Sequence, residues 1–205
     1  MGEGVARQEV IELATRLFGE LGYDGVSIQL IADAMGVGPS AITEATGTKR
    51  DLYLEVTRQV FESESRAFQE AVVRADPGRP AIHQIVDAYL DFHLAHREVR
   101  ALWAHRWMAD AADISELEDH YVRPLLHLAT RKIRDVVPPD VNPYYLFGTM
   151  IWCVHGYLGS GVFRPATGLY SPATQAIVAD FRAHLHVLMD RLLVPQDRLP
   201  DWNTG

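Results

Sequence analysis

Apolar residues recur along the chain at three- and four-residue steps, and strand-like alternation is scarce; this periodicity predicts helices. Val10, Leu13, Ala14, Leu17 and Leu21 form one stripe of a first helix, which Gly22 is placed to close as a C-cap. Ser27 caps a short second helix carrying Ile28, Ile31 and Ala32. Gly36 allows a tight turn, and Pro39 fits the first position of a third short helix. Thr48 caps a fourth, with Asp51 three residues on as a capping-box variant. The stripe of that helix, Leu52, Val56, Val60 and Phe68, runs to about Ala75.

Asp76-Pro77-Gly78-Arg79-Pro80 is the best internal break, and five helical stretches follow it. Ile82, Ile85, Val86, Tyr89, His93 and His96 share one face of the fifth, and Val99, Trp103 and Trp107 line the sixth. Leu117, Tyr121, Leu125 and Leu128 line the seventh, which ends before Pro138-Pro139. Pro124 falls inside it and cannot bond back to the carbonyl of His120, so a kink is expected there. Asn142 caps and Pro143 opens the eighth, reaching about Phe163; Ser171 and Pro172 repeat that start for the ninth. The fold class is therefore all-α with about nine helices. A small helical head spans residues 1–48, a larger helical body 49–194, and a polar tail 195–205.

The layout of residues 7–53 carries the most information: a helix, a short helix, a Gly turn, another short helix and a capped long helix. This is the order of a helix-turn-helix unit, whose second short helix can enter a DNA major groove. With Arg7, Ile11, Ala14, Leu17, Phe18, Gly22, Tyr23, Ser27, Ile28, Ile31, Ala32, Gly36, Val37, Lys49 and Leu52, the sequence resembles the TetR family of one-component bacterial repressors. The resemblance implies a homodimer that holds duplex DNA through two heads and answers a small-molecule effector bound in the body. It departs from the family in the third helix. Where members carry a Tyr, His or similar residues and then a Phe, this chain has Thr43, Glu44, Ala45 and Thr46.

Charge sharpens that departure. The chain carries 19 Lys and Arg against 27 Asp and Glu, a net of −8, which excludes a bulk polycation that coats nucleic acid or an anionic membrane. Within residues 1–55, four cations face nine carboxylates, a net of −5, and phosphate neutralisation supplies much of the affinity for DNA. The head then has to rely on hydroxyls and helix termini. Ser27, Ser40, Thr43, Thr46 and Thr48 are the candidate hydroxyl contacts, and Lys49 sits at a helix N-terminus where amide groups favour a phosphate. Glu44 can accept from a cytosine amino group, turning a liability into specificity.

The body is rich in aromatic and imidazole groups on inward stripes. Tyr89, Phe92, His93 and His96 fall within about two turns, Trp103 and Trp107 are one helical step apart, and Tyr121, Trp152 and His155 add further rings. Two readings stand: a wall for a small, mostly apolar or aromatic effector, or an ordinary core. His93 and His96 lack a third metal ligand, because Asp91 points elsewhere on the helix. Cys153 and His155 diverge by roughly 200° and make no nucleophile–base pair. Neither an enzyme, a metal nor a cofactor is expected. Gly156, Gly159 and Phe163, with Phe181, Leu185, Leu188 and Leu192, are the candidate dimer interface that the resemblance implies; packing of the eighth helix on the ninth is the alternative, and both can hold.

The lone Cys153 suits a reducing cytosol. The opening residues lack a secretion signal, and no apolar run reaches the ~20 residues of a membrane helix. The expected partners are a near-palindromic double-stranded operator, a small effector and a second copy of the chain, in the cytoplasm and off the membrane. The alternative is a small-molecule-binding protein of the same fold with weakened operator recognition.

Overall fold

The structure, a computed structural model, describes residues 6–108, 114, 118–164, 168–170 and 175–194. Its helices are α1 (Arg7–Gly25), α2 (Ile28–Met35), α3 (Pro39–Thr46), α4 (Lys49–Arg74), α5 (Arg79–Ala95), α6 (Arg97–Trp107), α7 (Arg123–Ile133), α8 (Pro143–Ser160) and α9 (Gln175–Leu192). A two-stranded antiparallel ribbon joins them, β1 (Val162–Arg164) against β2 (Gly168–Tyr170), with Phe163 opposite Leu169. Leu117, Ser171, Pro172 and the tail from Pro195 lie outside the described residues.

Two compact units form, one from residues up to Ser65 together with His96–Tyr121, the other from Arg66–Ala95 together with residues from Val122 onward. The boundary expected at 48/49 thus falls inside the first unit. The reason is burial: Leu52, Tyr53 and Val56 on the first turns of α4 are fully buried, as are Val10, Ala14, Phe18, Ile31 and Ile42 on the short helices. Three helices of this length expose too much surface to close a core alone, and α4 supplies the missing wall.

Local chemistry sets the elements of the first unit. The stop expected at Gly22 is a kink (φ 73°, ψ 173°), and one further turn follows to Gly25. Ser27 accepts from the Leu30 amide at 3.1 Å and caps α2, which ends on Gly36 in the left-handed region at φ 68°. Pro39 occupies the first turn of α3. Thr48 and Asp51 cap α4 reciprocally: the Thr48 amide donates to Asp51 at 2.9 Å, and the Asp51 amide donates to the Thr48 hydroxyl at 3.2 Å. Gly47 (φ 81°) is required just before them, since a Cβ there would stand 2.8 Å from the Asp51 carboxylate. α6 packs on α1, where a Cβ on Gly19 would already reach van der Waals contact with Ala101, and a ring nitrogen of His105 lies 3.2 Å from the Gly19 carbonyl.

The second unit closes around Ile82, Ile85, Val86 and Leu90 of α5, with Ala129 and Ile133 of α7, Phe147, Met150 and Val154 of α8, and Leu185 and Met189 of α9. Pro124 does interrupt its helix. The chain widens into a π-helical turn over Glu118–Val122, and Pro124 sits in the first turn of α7, where its missing N–H costs nothing. α8 is capped by Asn142, which accepts from the Tyr144 amide at 2.9 Å. It stops at Ser160, short of Phe163, because Gly161 turns the chain (φ 72°) and the next residues enter β1. Tyr157 and Phe181 stack across α8 and α9 with ring centroids 3.7 Å apart.

Candidate nucleic-acid interface

The turn between α2 and α3 fixes which side of α3 reaches solvent. Ile42 and Thr46 face inward and are buried, whereas Pro39, Ser40, Thr43 and Glu44 are exposed. α3 is therefore anchored by one side and offers the other as a short rod. Thr46, a candidate contact, is withdrawn from that surface, and its hydroxyl donates to the Ile42 carbonyl at 2.9 Å. The alternation that buries Ile42 buries the residue four positions on as well. The Thr43 hydroxyl donates to the carbonyls of Pro39 and Ser40, at 3.2 and 3.0 Å, so toward a ligand it is an acceptor.

The start of α4 completes the surface. Thr48 is exposed, but its hydroxyl also donates to Asp51 at 2.7 Å, and these bonds hold the Asp51 carboxyl below its ordinary range. The Lys49 ammonium stands 4.2 Å over the centre of the Tyr23 ring, a cation–π contact that fixes where the charge sits. Tyr23 in turn packs against Phe18 and Tyr53, with centroids 6.2 and 4.8 Å away. Arg50 is exposed beside it and, among the described residues, makes no ion pair. Sequence reasoning passed over Arg50, although its place next to Lys49 in the first turn of α4 was the available signal. Two cations there oppose the helix dipole, an arrangement that an anion relieves. Ser27 is exposed as well, with its oxygen engaged in capping α2.

The candidate effector residues fall in both units. In the second unit Tyr89, His93 and His155 are buried together: the Tyr89 hydroxyl lies 2.9 Å from His155 Nε2, and the His93 ring centre lies 4.4 Å from that of Tyr89 and 4.5 Å from that of His155. Phe92 meets His93 edge-on at 5.4 Å. Trp103 and Tyr121 belong to the first unit, flanking Phe61 at 4.1 and 5.6 Å. The Trp103 indole donates to the buried Glu64 carboxylate at 2.6 Å. His96, also in the first unit, lies 3.2 Å from Glu98. Trp107 ends α6 and is 49% exposed, while Trp103 is buried. Trp152 is 61% exposed, two residues and hence roughly 200° from the buried Met150 and Val154. Among the described residues no cluster of three His, Cys, Asp or Glu could hold a metal ion, and no helix is long and apolar enough to cross a membrane.

Of the candidate dimer residues, Gly156 and Gly159 lie exposed on α8 beside Trp152, and a Cβ on either would meet open space. Leu185 is fully buried within the chain, and Phe181, Leu188 and Leu192 pack half-buried against the same core. Phe163 lies in β1, beyond the end of α8.

A bi-helical turn presenting one exposed short helix, seated on a longer helix and accompanied by a helical body, defines a helix-turn-helix protein. The family model for bacterial regulatory proteins of the tetR family matches residues 10–56, the stretch that builds this surface. Over that stretch the chain is similar to the DNA-binding region of the tetR family. It is 32% identical over 76 residues to the uncharacterized HTH-type transcriptional regulator YezE of Bacillus subtilis, covering 37% of this chain and 39% of that one. It is 30% identical over 111 residues to the HTH-type transcriptional repressor AcnR of Corynebacterium diphtheriae, covering 54% and 49%. The matched stretches span between 29% and 66% of the lengths of the curated relatives. In fold the chain is similar to the ketosteroid transcriptional regulator KstR2 of Mycobacterium tuberculosis, with a TM-score of 0.66 and 14% identity over 90% of this chain and 93% of that one.

Proposed function

We propose that the chain is a homodimeric, ligand-responsive transcriptional repressor of the cytoplasm. The observation that carries this reading is the single exposed side of α3, bearing Ser40, Thr43 and Glu44, with Ile42 and Thr46 anchoring the other side. Two such helices, one per protomer, enter successive major grooves about 34 Å apart on a near-palindromic operator. Lys49 and Arg50 at the start of α4 take the flanking phosphates, where helix amides and cations act together. Glu44 reads a cytosine amino group.

Dimerisation uses the open strip of Trp152, Gly156 and Gly159 on α8 with the outward side of α9, since small residues let a second helix approach closely. Its buried counterpart, Leu185, holds α9 to its own chain. The effector is small and mostly apolar or aromatic, and Tyr89, His93 and His155 offer it polar tips within an apolar setting. A ligand that favours a different placement of α4 spoils the match between head spacing and groove spacing. To empty the operator it must prefer that form by a few kcal/mol. The packing of α6 on α1 makes α6 a second route to the head. In a gel-shift experiment the purified protein retards its own upstream DNA, and Lys49→Ala weakens that shift. No sequence preference even at low salt overturns the reading.

The exposed carboxylate of Glu44 and the acidic head favour one other reading: a small-molecule-binding protein of this fold with weakened operator recognition. It predicts stabilisation by an effector without specific DNA binding.

A further inference from the structure

The end of α7 and the start of α8 frame a half-open cavity of about 290 Å³ whose lining holds two guanidinium groups and no carboxylate. Arg131 lies in the last turn of α7, and Arg134 opens the 3-10 turn that continues it. Three residues apart, they project from the same side of the rod, where like charges repel one another. Both are exposed, and among the described residues neither makes an ion pair. On a chain with 27 carboxylates and 19 Lys and Arg, a cavity lined by two such cations alone is a local reversal of sign.

Apart from Thr130, the rest of the lining is stiff and largely apolar. Pro138, Pro139 and Pro143 cannot flex about φ. Tyr144 forms an aromatic wall whose hydroxyl lies 3.0 Å from His127 Nδ1, with the two rings edge-on. A ligand suited to this lining has an anionic end for the paired arginines and a flat apolar body for the tyrosine and the prolines.

We propose that this cavity binds a small aromatic anion, its carboxylate or phosphate gripped by Arg131 and Arg134 and its ring laid against Tyr144. Paired guanidiniums suit planar, multi-oxygen anions better than a single ammonium does. The site shares no residue with the Tyr89–His93–His155 cluster, so it stands or falls separately from the repressor reading.

Calorimetric titration of the full chain at low salt with benzoate, phenyl phosphate, inorganic phosphate and uncharged benzyl alcohol tests it. The aromatic anions bind and benzyl alcohol does not. The affinity for phenyl phosphate falls by about tenfold or more in the Arg131→Gln, Arg134→Gln double variant, the loss of at least one charge-assisted contact. Tyr144→Ala weakens phenyl phosphate while leaving inorganic phosphate unchanged. In the wild-type chain, salt near ~1 M suppresses binding, a check that needs no variant. Absence of binding by either aromatic anion overturns the proposal. So does undiminished affinity in a folded double variant, or inorganic phosphate binding as tightly as phenyl phosphate.

Discussion

Thr48 and Asp51 hold the start of α4 by paired bonds, and Gly47 clears the space for them. Thr48→Ala costs about 1 kcal/mol of stability, read from urea unfolding, and in Asp51→Ala the Thr48 substitution costs less because the two act as one cap. Glu55 offers a test by pH. Its bonds to Arg58, with a smaller contribution from Arg7, hold its carboxyl at about 2, against an ordinary value of 4.5. The folded state therefore gains from ionised Glu55 above pH 4.5, and that gain is lost as pH falls toward 2. Glu55→Gln flattens the fall of the thermal midpoint across that window. The caps at Ser27, Thr48 and Asn142 were legible in the sequence because capping is a rule of neighbours. The inward turn of Thr46 was not. A hydroxyl reads as a surface group until the helix phase is known, and only Ile42 at its i−4 position hinted at it.

Helices obey the same distinction between near and far. Their number, order and starts follow from periodicity and from Pro, Ser and Asn at the first turns, since these depend on a few adjacent residues. Their ends follow less well. α8 stops at Ser160 because Gly161 enters the left-handed region and a ribbon begins, which an apolar stripe running on to Phe163 concealed. Pro124 was legible as an interruption, but relief by a π-helical turn depends on how its neighbours pack. The aromatic residues of the body show the limit most clearly. Spacing along one helix could not reveal that Trp103 joins Phe61 in one unit while Tyr89 joins His155 in the other. α9 is held to α5 by Arg182, which reaches Asp87 at 2.9 Å and also Asp91, and by the fully buried Leu185. Leu185→Ala destabilises by roughly 2–5 kcal/mol, measured by denaturant unfolding, whereas Val187→Ala on the exposed side changes little.

In the proposed repressor, assembly and DNA binding are properties of two copies together. Gly156 and Trp152 leave a strip of α8 open to a partner, and Gly156→Arg, which has room within the chain, is expected to shift the protein from dimer to monomer in sedimentation velocity without lowering its helix content. If the proposed repressor reading holds, the acidic balance of the head leaves operator affinity to few phosphate contacts, and a shallow salt dependence in filter binding is the expected outcome. What most needs testing is whether the exposed side of α3 reads bases. Selection of bound duplexes from a random library by the full-length chain answers this. The account predicts an enriched two-fold symmetric site with half-sites about 10 base pairs apart, and a changed preference at one symmetric base pair in Glu44→Gln. A selected pool that remains random, or one that Glu44→Gln leaves unaltered at every position, contradicts it.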